Sequence, residues 1–189
     1  MVVSKEDAVQ ALAEIGAARE RTEQLRGYRN FGPHAMIWGS VWMLANTLIG
    51  LQGSDASLIW LVLNLLGAAA SMTVGARARS AMATAQRRRA FQNWRWIATS
   101  VLVVLFFTAT FAVLPPTSGA QISAFIALFF AAAYTLLGVW NGWKILALGL
   151  VMAGLVLVGY FSGTVHYQLL SQALAGAAMV LGGWWMRRA

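Results

Sequence analysis

Residues 57–96 read SLIWLVLNLLGAAASMTVGARARSAMATAQRRRAFQNWRW. From Ser57 to Ala76 there is no Asp, Glu, Lys or Arg. A helix of about 20 such residues crosses a ~30 Å hydrocarbon core. The pattern then switches. Arg77, Arg79, Arg87, Arg88, Arg89 and Arg95 follow, with no acid among them. A greasy run that ends in a purely cationic one is a membrane span followed by a loop held on the cytoplasmic side.

The rest of the chain repeats this alternation. Apolar runs near 35–52, 57–75, 95–114, 120–140, 143–162 and 165–186 predict six transmembrane helices. Lys5, Arg19, Arg21, Arg26 and Arg29 precede the first run, Lys144 lies between the fourth and fifth, and Arg187 and Arg188 follow the sixth. With the six arginines of 77–95 these make up all 14 basic residues, and every one falls on the same face. Both termini are therefore expected in the cytoplasm. The links on the other face are short: 53–56, Pro115 to Gly119, and Gly163-Thr164. Asn141-Gly142 joins the fourth and fifth runs as tightly. Short links make antiparallel neighbours, so the expected fold is all-α, a polytopic six-helix up-down bundle of three hairpins.

Composition agrees. The chain has 189 residues, 59% hydrophobic and 11% charged, against roughly 45–50% and about 25% in soluble domains. A net charge of +8 would suggest nucleic acid in a soluble protein. Here topology already uses those cations, so no nucleic-acid partner is expected. The absence of cysteine excludes disulfides, thiolate metal sites, iron–sulfur ligation and c-type haem attachment.

Residues 1–30 form a distinct cytoplasmic unit ahead of the membrane domain, 31–189. Glu6, Asp7, Glu14, Glu20 and Glu23 argue against a cleaved signal peptide and against a mitochondrial presequence. The first span is thus expected to be an uncleaved anchor, and a bacterial inner membrane the location. From Ser4 to about Gly27 the spacing predicts an amphipathic helix. Ser4 and Asp7 make a capping-box-like start. Ala8, Ala11, Leu12, Ile15, Ala18, Thr22 and Leu25 then recur at three- and four-residue steps. Five acids offset the five bases through Arg29. Helices that lie on anionic lipid are strongly basic, so this one suits packing on protein: its own bundle, or a membrane or cytoplasmic partner bound through residues 4–27. Gly32-Pro33 marks the expected start of the first span.

Tryptophans give an independent orientation. Trp38, Trp42, Trp94, Trp96, Trp140, Trp143, Trp184 and Trp185 fall at cytoplasmic span ends and only Trp60 at the far side, as an interfacial belt would place them. The arginines Arg77, Arg79, Arg87, Arg88 and Arg89 are then expected to meet anionic lipid headgroups, at about 1 kcal/mol each.

Catalytic chemistry is hard to build here. Apart from Arg95 and Lys144 at their cytoplasmic ends, the spans contain no Asp, Glu, Lys or Arg, the groups that mark proton relays, voltage sensors and ion-coupled carriers. The three prolines, Pro33, Pro115 and Pro116, mark span ends, so Pro-interrupted transporter helices are not evident. His34 and His166 lie at opposite faces, ~30 Å apart, and cannot share a metal or haem in one subunit. No phosphate-binding glycine loop occurs. The expectation is a protein with no enzyme activity, no cofactor and no metal.

Neutral polar residues remain. Asn46, Asn64, Thr108 and Gln172 lie about six or seven residues from the outer ends of their spans. At 1.5 Å per residue they share a depth of ~9–11 Å. Unpaired amides are costly in hydrocarbon, so they are expected to face inward and pair. Such a layer serves either as interhelical glue or as a pocket for a small neutral ligand. Small residues form close-packing stripes: Ala124, Ala127, Ala131, Thr135 and Gly138 on the fourth span, Asn64, Ala68, Ser71 and Gly75 on the second, Ala173, Gly176 and Ala177 on the sixth. Gly149, Gly154 and Gly159 are five apart, each turned ~140° from the last, which predicts neighbours on several sides of the fifth span. These faces suit burial in one bundle or a homo-oligomer.

Tyr28-Arg29-Asn30-Phe31-Gly32-Pro33-His34, then Trp38-Gly39, resemble the start of uncharacterised small bacterial inner-membrane proteins with six predicted spans. Tyr134 to Gly142, Gly149 to Phe161 and Leu181-Gly182-Gly183-Trp184-Trp185-Met186-Arg187-Arg188 resemble them too. The resemblance implies the six-span topology and supplies no catalytic residues. Together these readings predict a non-enzymatic membrane protein, an accessory or regulatory subunit, with a small channel or carrier for a neutral or lipophilic solute as the alternative.

Overall fold

The computed structural model describes residues 5–52, 56–80 and 93–188. Every element among them is helical: α1 Lys5–Gln52, α2 Ala56–Ser80, α3 Asn93–Val113, α4 Gly119–Asn141, α5 Trp143–Phe161 and α6 Val165–Arg187. Among the described residues four segments are long and apolar enough to cross a membrane: Ser57–Arg77, Gly119–Asn141, Trp143–Phe161 and Val165–Arg187. Leucines and valines cover their outer surfaces, among them Leu61, Leu65, Leu136, Val151, Val158 and Leu174. That surface suits lipid and is wrong for water. The chain is a multi-pass helical membrane protein.

The first helix departs from expectation. Gly32-Pro33 does not begin it. A single 48-residue helix runs through Pro33. An internal proline removes one backbone hydrogen bond and crowds the carbonyl four residues earlier. That carbonyl belongs to Arg29, which is exposed, so solvent can take the lost partner's place.

Contacts reach beyond the three sequential hairpins. The most extensive contact is between the first and last helices, α1 and α6, followed by α4 with α5, α5 with α6, and α1 with α2. α1, α4, α5 and α6 therefore form the core. α2 leans on α1, with Gly67 beneath Val41 and Trp38 and the Trp42 and Trp60 rings edge to face at 6.3 Å. α3 meets α4 through phenylalanines: Phe107 lies 4.8 Å from Phe129 and 5.8 Å from Phe125, and Phe111 lies 5.5 Å from Phe125.

Glycines set the α1–α6 contact. A Cβ on Gly39 would stand 2.6 Å from the Gly176 carbonyl oxygen, and one on Gly176 2.7 Å from the Gly39 carbonyl oxygen. Gly32 and Gly183 repeat the arrangement at 2.6 and 2.5 Å. On both helices the two glycines are seven residues apart, two turns, which returns to nearly the same face. The helices run antiparallel with their backbones in contact at two levels. Met179, Met186 and Ala175 fill the spaces between, packed with Met152, Ile145 and Leu148 of α5.

The small stripe of α4 is the face it buries: Ala124, Ala127, Ala131 and Gly138. On α5 two of the three spaced glycines have neighbours. Gly149 faces Thr135 and Ala131 of α4, Gly159 faces Ser171 of α6, and Gly154 has nothing within 4 Å. Trp42 also differs from expectation. It is only 8% exposed, in a core cluster with Val41, Ala124, Ala127 and Val156, so it packs the bundle and is not part of an interfacial belt.

Candidate functional site

Two polar regions stand out, one inside the bundle and one at its basic end. Inside, α6 aims two amides one turn apart at the start of α4. Gln168 Nε2 donates to the Ala120 carbonyl at 2.7 Å. Gln172 Oε1 accepts from Ser123 Oγ at 2.9 Å. Ser171 Oγ donates to the Gln168 carbonyl at 2.9 Å and stands where a Cβ on Gly159 would be. Gln168, Ser171 and Gln172 are all buried. One donor is left over: Gln172 Nε2 has no hydrogen-bond partner among the described residues. A buried, unsatisfied amide donor costs about 1–3 kcal/mol, so this atom is a place for a small acceptor such as water or a carbonyl oxygen. Close by, between α5 and α6, a crevice of about 200 Å³ is lined by Leu155, Val158, Gly159, Ser162, Tyr167, Leu170, Ser171 and Leu174.

The expected four-residue layer is only half gathered. Asn46 and Gln172 are buried, each 2% exposed. Asn64 and Thr108 are exposed. Asn46 Nδ2 donates to the Trp42 carbonyl at 2.9 Å, Asn64 Nδ2 to Trp60 at 2.8 Å, and Thr108 Oγ1 to Val104 at 2.9 Å. Each of these three places one donor on a carbonyl of its own helix, which lowers the cost of Asn64 and Thr108 facing outward. Gln168, Ser171 and Ser123 were missed as members. Their signal was the i, i+4 pair Gln168/Gln172, which puts two amides on one helix face.

At the other end lie the cations. His34 and Ser71 join α1 to α2 at 3.2 Å, and partial burial lowers the His34 pKa from its ordinary 6.5. Arg77 follows at the end of the α2 apolar segment. Arg79 belongs to the last residues of α2, while Arg87, Arg88 and Arg89 lie outside the described residues. Tyr28 of α1 is the hub of this end. Its hydroxyl accepts from Gln24 Nε2 at 3.1 Å and from the Lys144 backbone N–H at 3.4 Å. Lys144 Nζ lies 4.5 Å from the centroid of the Trp185 ring and 5.4 Å from that of Tyr28. Arg188 stacks over Trp184 at 3.6 Å.

Beyond Tyr28, α1 outruns the bundle. Gly32 packs against Arg187, at the end of α6, so the segment from Lys5 to Glu23 projects by about 27 Å at 1.5 Å per residue. Val9, Leu12 and Ile15 are 60, 69 and 64% exposed on it, and Gly16 has nothing within 4 Å. Arg19 Nε donates to Glu23 Oε1 at 3.2 Å on its surface. Among the described residues no group of three or more His, Cys, Asp or Glu could hold a metal ion. His166 is exposed beside Tyr167. Comparison with protein-family models, with curated proteins and with solved structures finds no match.

Proposed function

We propose that the chain is a non-enzymatic six-span protein of the bacterial inner membrane with both termini cytoplasmic, an accessory or regulatory subunit that docks a protein partner on the projecting part of α1. The observation that carries this reading is the exposure of Val9, Leu12 and Ile15 on a helix continuous with the membrane bundle. Such residues gain about 1.5–3 kcal/mol each on full burial. Charge balance along the segment disfavours an anionic lipid surface as the cover, and a partner groove with an apolar floor and a rim of both signs fits best. Deleting residues 4–27 is expected to remove the co-purifying partner from a mild-detergent pull-down and leave membrane insertion intact. If the intact chain brings down nothing, the proposal fails.

A second reading has its own support. The orphaned Gln172 Nε2 and the crevice between α5 and α6 favour a small channel or carrier for a neutral or lipophilic solute. Liposomes containing only this protein should then pass glycerol or urea faster than protein-free vesicles, with the excess lost in Gln172→Leu. Equal leak in both vesicle types removes this reading.

A further inference from the structure

We infer that the groove between the projecting part of α1 and the α4–α5 turn is a binding site for the headgroup of a zwitterionic aminophospholipid. The inference goes beyond partner docking. The groove has a volume of about 680 Å³, within the ~300–1,000 Å³ range of small-molecule sites. Arg21, Glu23 and Gln24 line one side, and Trp140, Asn141 and Gly142 the other.

Depth selects a lipid. The floor, Asn141-Gly142, joins two helices that are each long and apolar enough to cross a membrane. Trp140 at the rim is 78% exposed, and Trp143, Trp184 and Trp185 are exposed at the same end. Tryptophan in that position sits at headgroup level. Val139 lines the groove, and with Leu136 one turn further along it exposes an apolar track on α4. An acyl chain attached to a bound headgroup would lie on that track.

Charge selects the headgroup. Among the described residues Arg21 has no ion-pair partner, so its guanidinium is available for bidentate contact with a phosphodiester. Glu23 gives one oxygen to Arg19 and retains acceptor capacity on its carboxylate. That carboxylate suits an ammonium group, as does the face of Trp140. A purely anionic headgroup would meet Arg21 equally well but would be repelled by Glu23. The pair of signs within one groove therefore favours phosphoethanolamine over phosphoglycerol.

Native mass spectrometry of the full chain, taken from nanodiscs of equal phosphatidylethanolamine and phosphatidylglycerol, tests this. The intact protein should retain phosphatidylethanolamine preferentially. Arg21→Gln should lower the retained fraction about tenfold, the loss expected for one charge-assisted bidentate contact. Glu23→Gln should erase the preference, and Arg26→Gln, outside the groove, should change nothing. Equal retention of both lipids by the intact chain overturns the proposal, and this comparison needs no variant. Unchanged retention in Arg21→Gln also overturns it. Displacement of the lipid by soluble phosphoethanolamine at equal concentration would assign the groove to a free phosphate ester and overturn the lipid assignment.

Discussion

Gly176→Leu is expected to separate α1 from α6 and to destabilise the bundle by about 3 kcal/mol or more, beyond the usual range for overpacking. A Cβ at Gly176 would meet the Met43 backbone nitrogen at 2.5 Å and the Gly39 carbonyl oxygen at 2.7 Å. Both obstacles are backbone, so no rotamer change relieves them. Spans packed in lipid gain little from the hydrophobic effect, and their association depends on close packing. Pushing two backbones apart therefore removes most of what holds them. The chain has no cysteine, which allows a clean reporter. A Cβ at Gly50 would lie 3.8 Å from the Leu169 Cβ, inside the 3.5–4.5 Å range of disulfides. Gly50→Cys with Leu169→Cys should therefore cross-link readily, and the cross-link should be lost when Gly176→Leu is added. Gly154→Leu, at a glycine with open space around it, should leave the cross-link intact. Efficient cross-linking in the Gly176→Leu background would show that the α1–α6 contact does not depend on these glycines.

Much of this architecture was legible because hydrocarbon allows few solutions. Expected spans at 57–75, 120–140, 143–162 and 165–186 correspond to α2, α4, α5 and α6 within a few residues. Length and lack of charge decide such segments. The α4 stripe was legible for a related reason, since small residues repeated on one face permit close approach whatever lies opposite. What opposes a stripe is not a local property. Gly32 and Gly39 match Gly183 and Gly176 across about 140 residues of sequence, and nothing in either segment names the other. Depth within a span followed from the 1.5 Å rise, but rotation about the axis did not. Asn64 and Thr108 were expected at the level of Gln172 and yet are exposed, because α2 and α3 lie at the edge of the bundle. Trp42 was read by its distance from a span end. The core position it occupies depends on Phe130 of α4 and Trp60 of α2, which only the assembled fold brings together.

Gly142→Ala should be the most damaging small change at the basic end, and its cost should divide into two separable parts. Gly142 has φ +117°, where an L side chain is strained by about 1–3 kcal/mol. A Cβ there would also collide with the Tyr28 hydroxyl and with Gln24 Nε2. The first part belongs to the turn alone, and the second exists only while Tyr28 fills its place. Tyr28 is nearly buried and cannot swing away without releasing Gln24 and the Lys144 N–H, which holds the start of α5. Tyr28→Ala removes the ring, frees the Gln24 amide it holds to swing aside, and leaves the backbone strain. In a double-mutant cycle read by thermal unfolding in detergent, Gly142→Ala should therefore cost less in the Tyr28→Ala background, with a coupling of about 1–3 kcal/mol. Additive costs would mean that the turn does not bear on Tyr28. The coupling matters beyond stability. Tyr28 is where the projecting part of α1 is clamped to the α4–α5 hairpin, so loosening it changes the angle at which Val9, Leu12 and Ile15 are presented. Gly142→Ala should thus weaken partner capture even though it lies more than 100 residues from them in sequence, whereas Gly154→Leu should not.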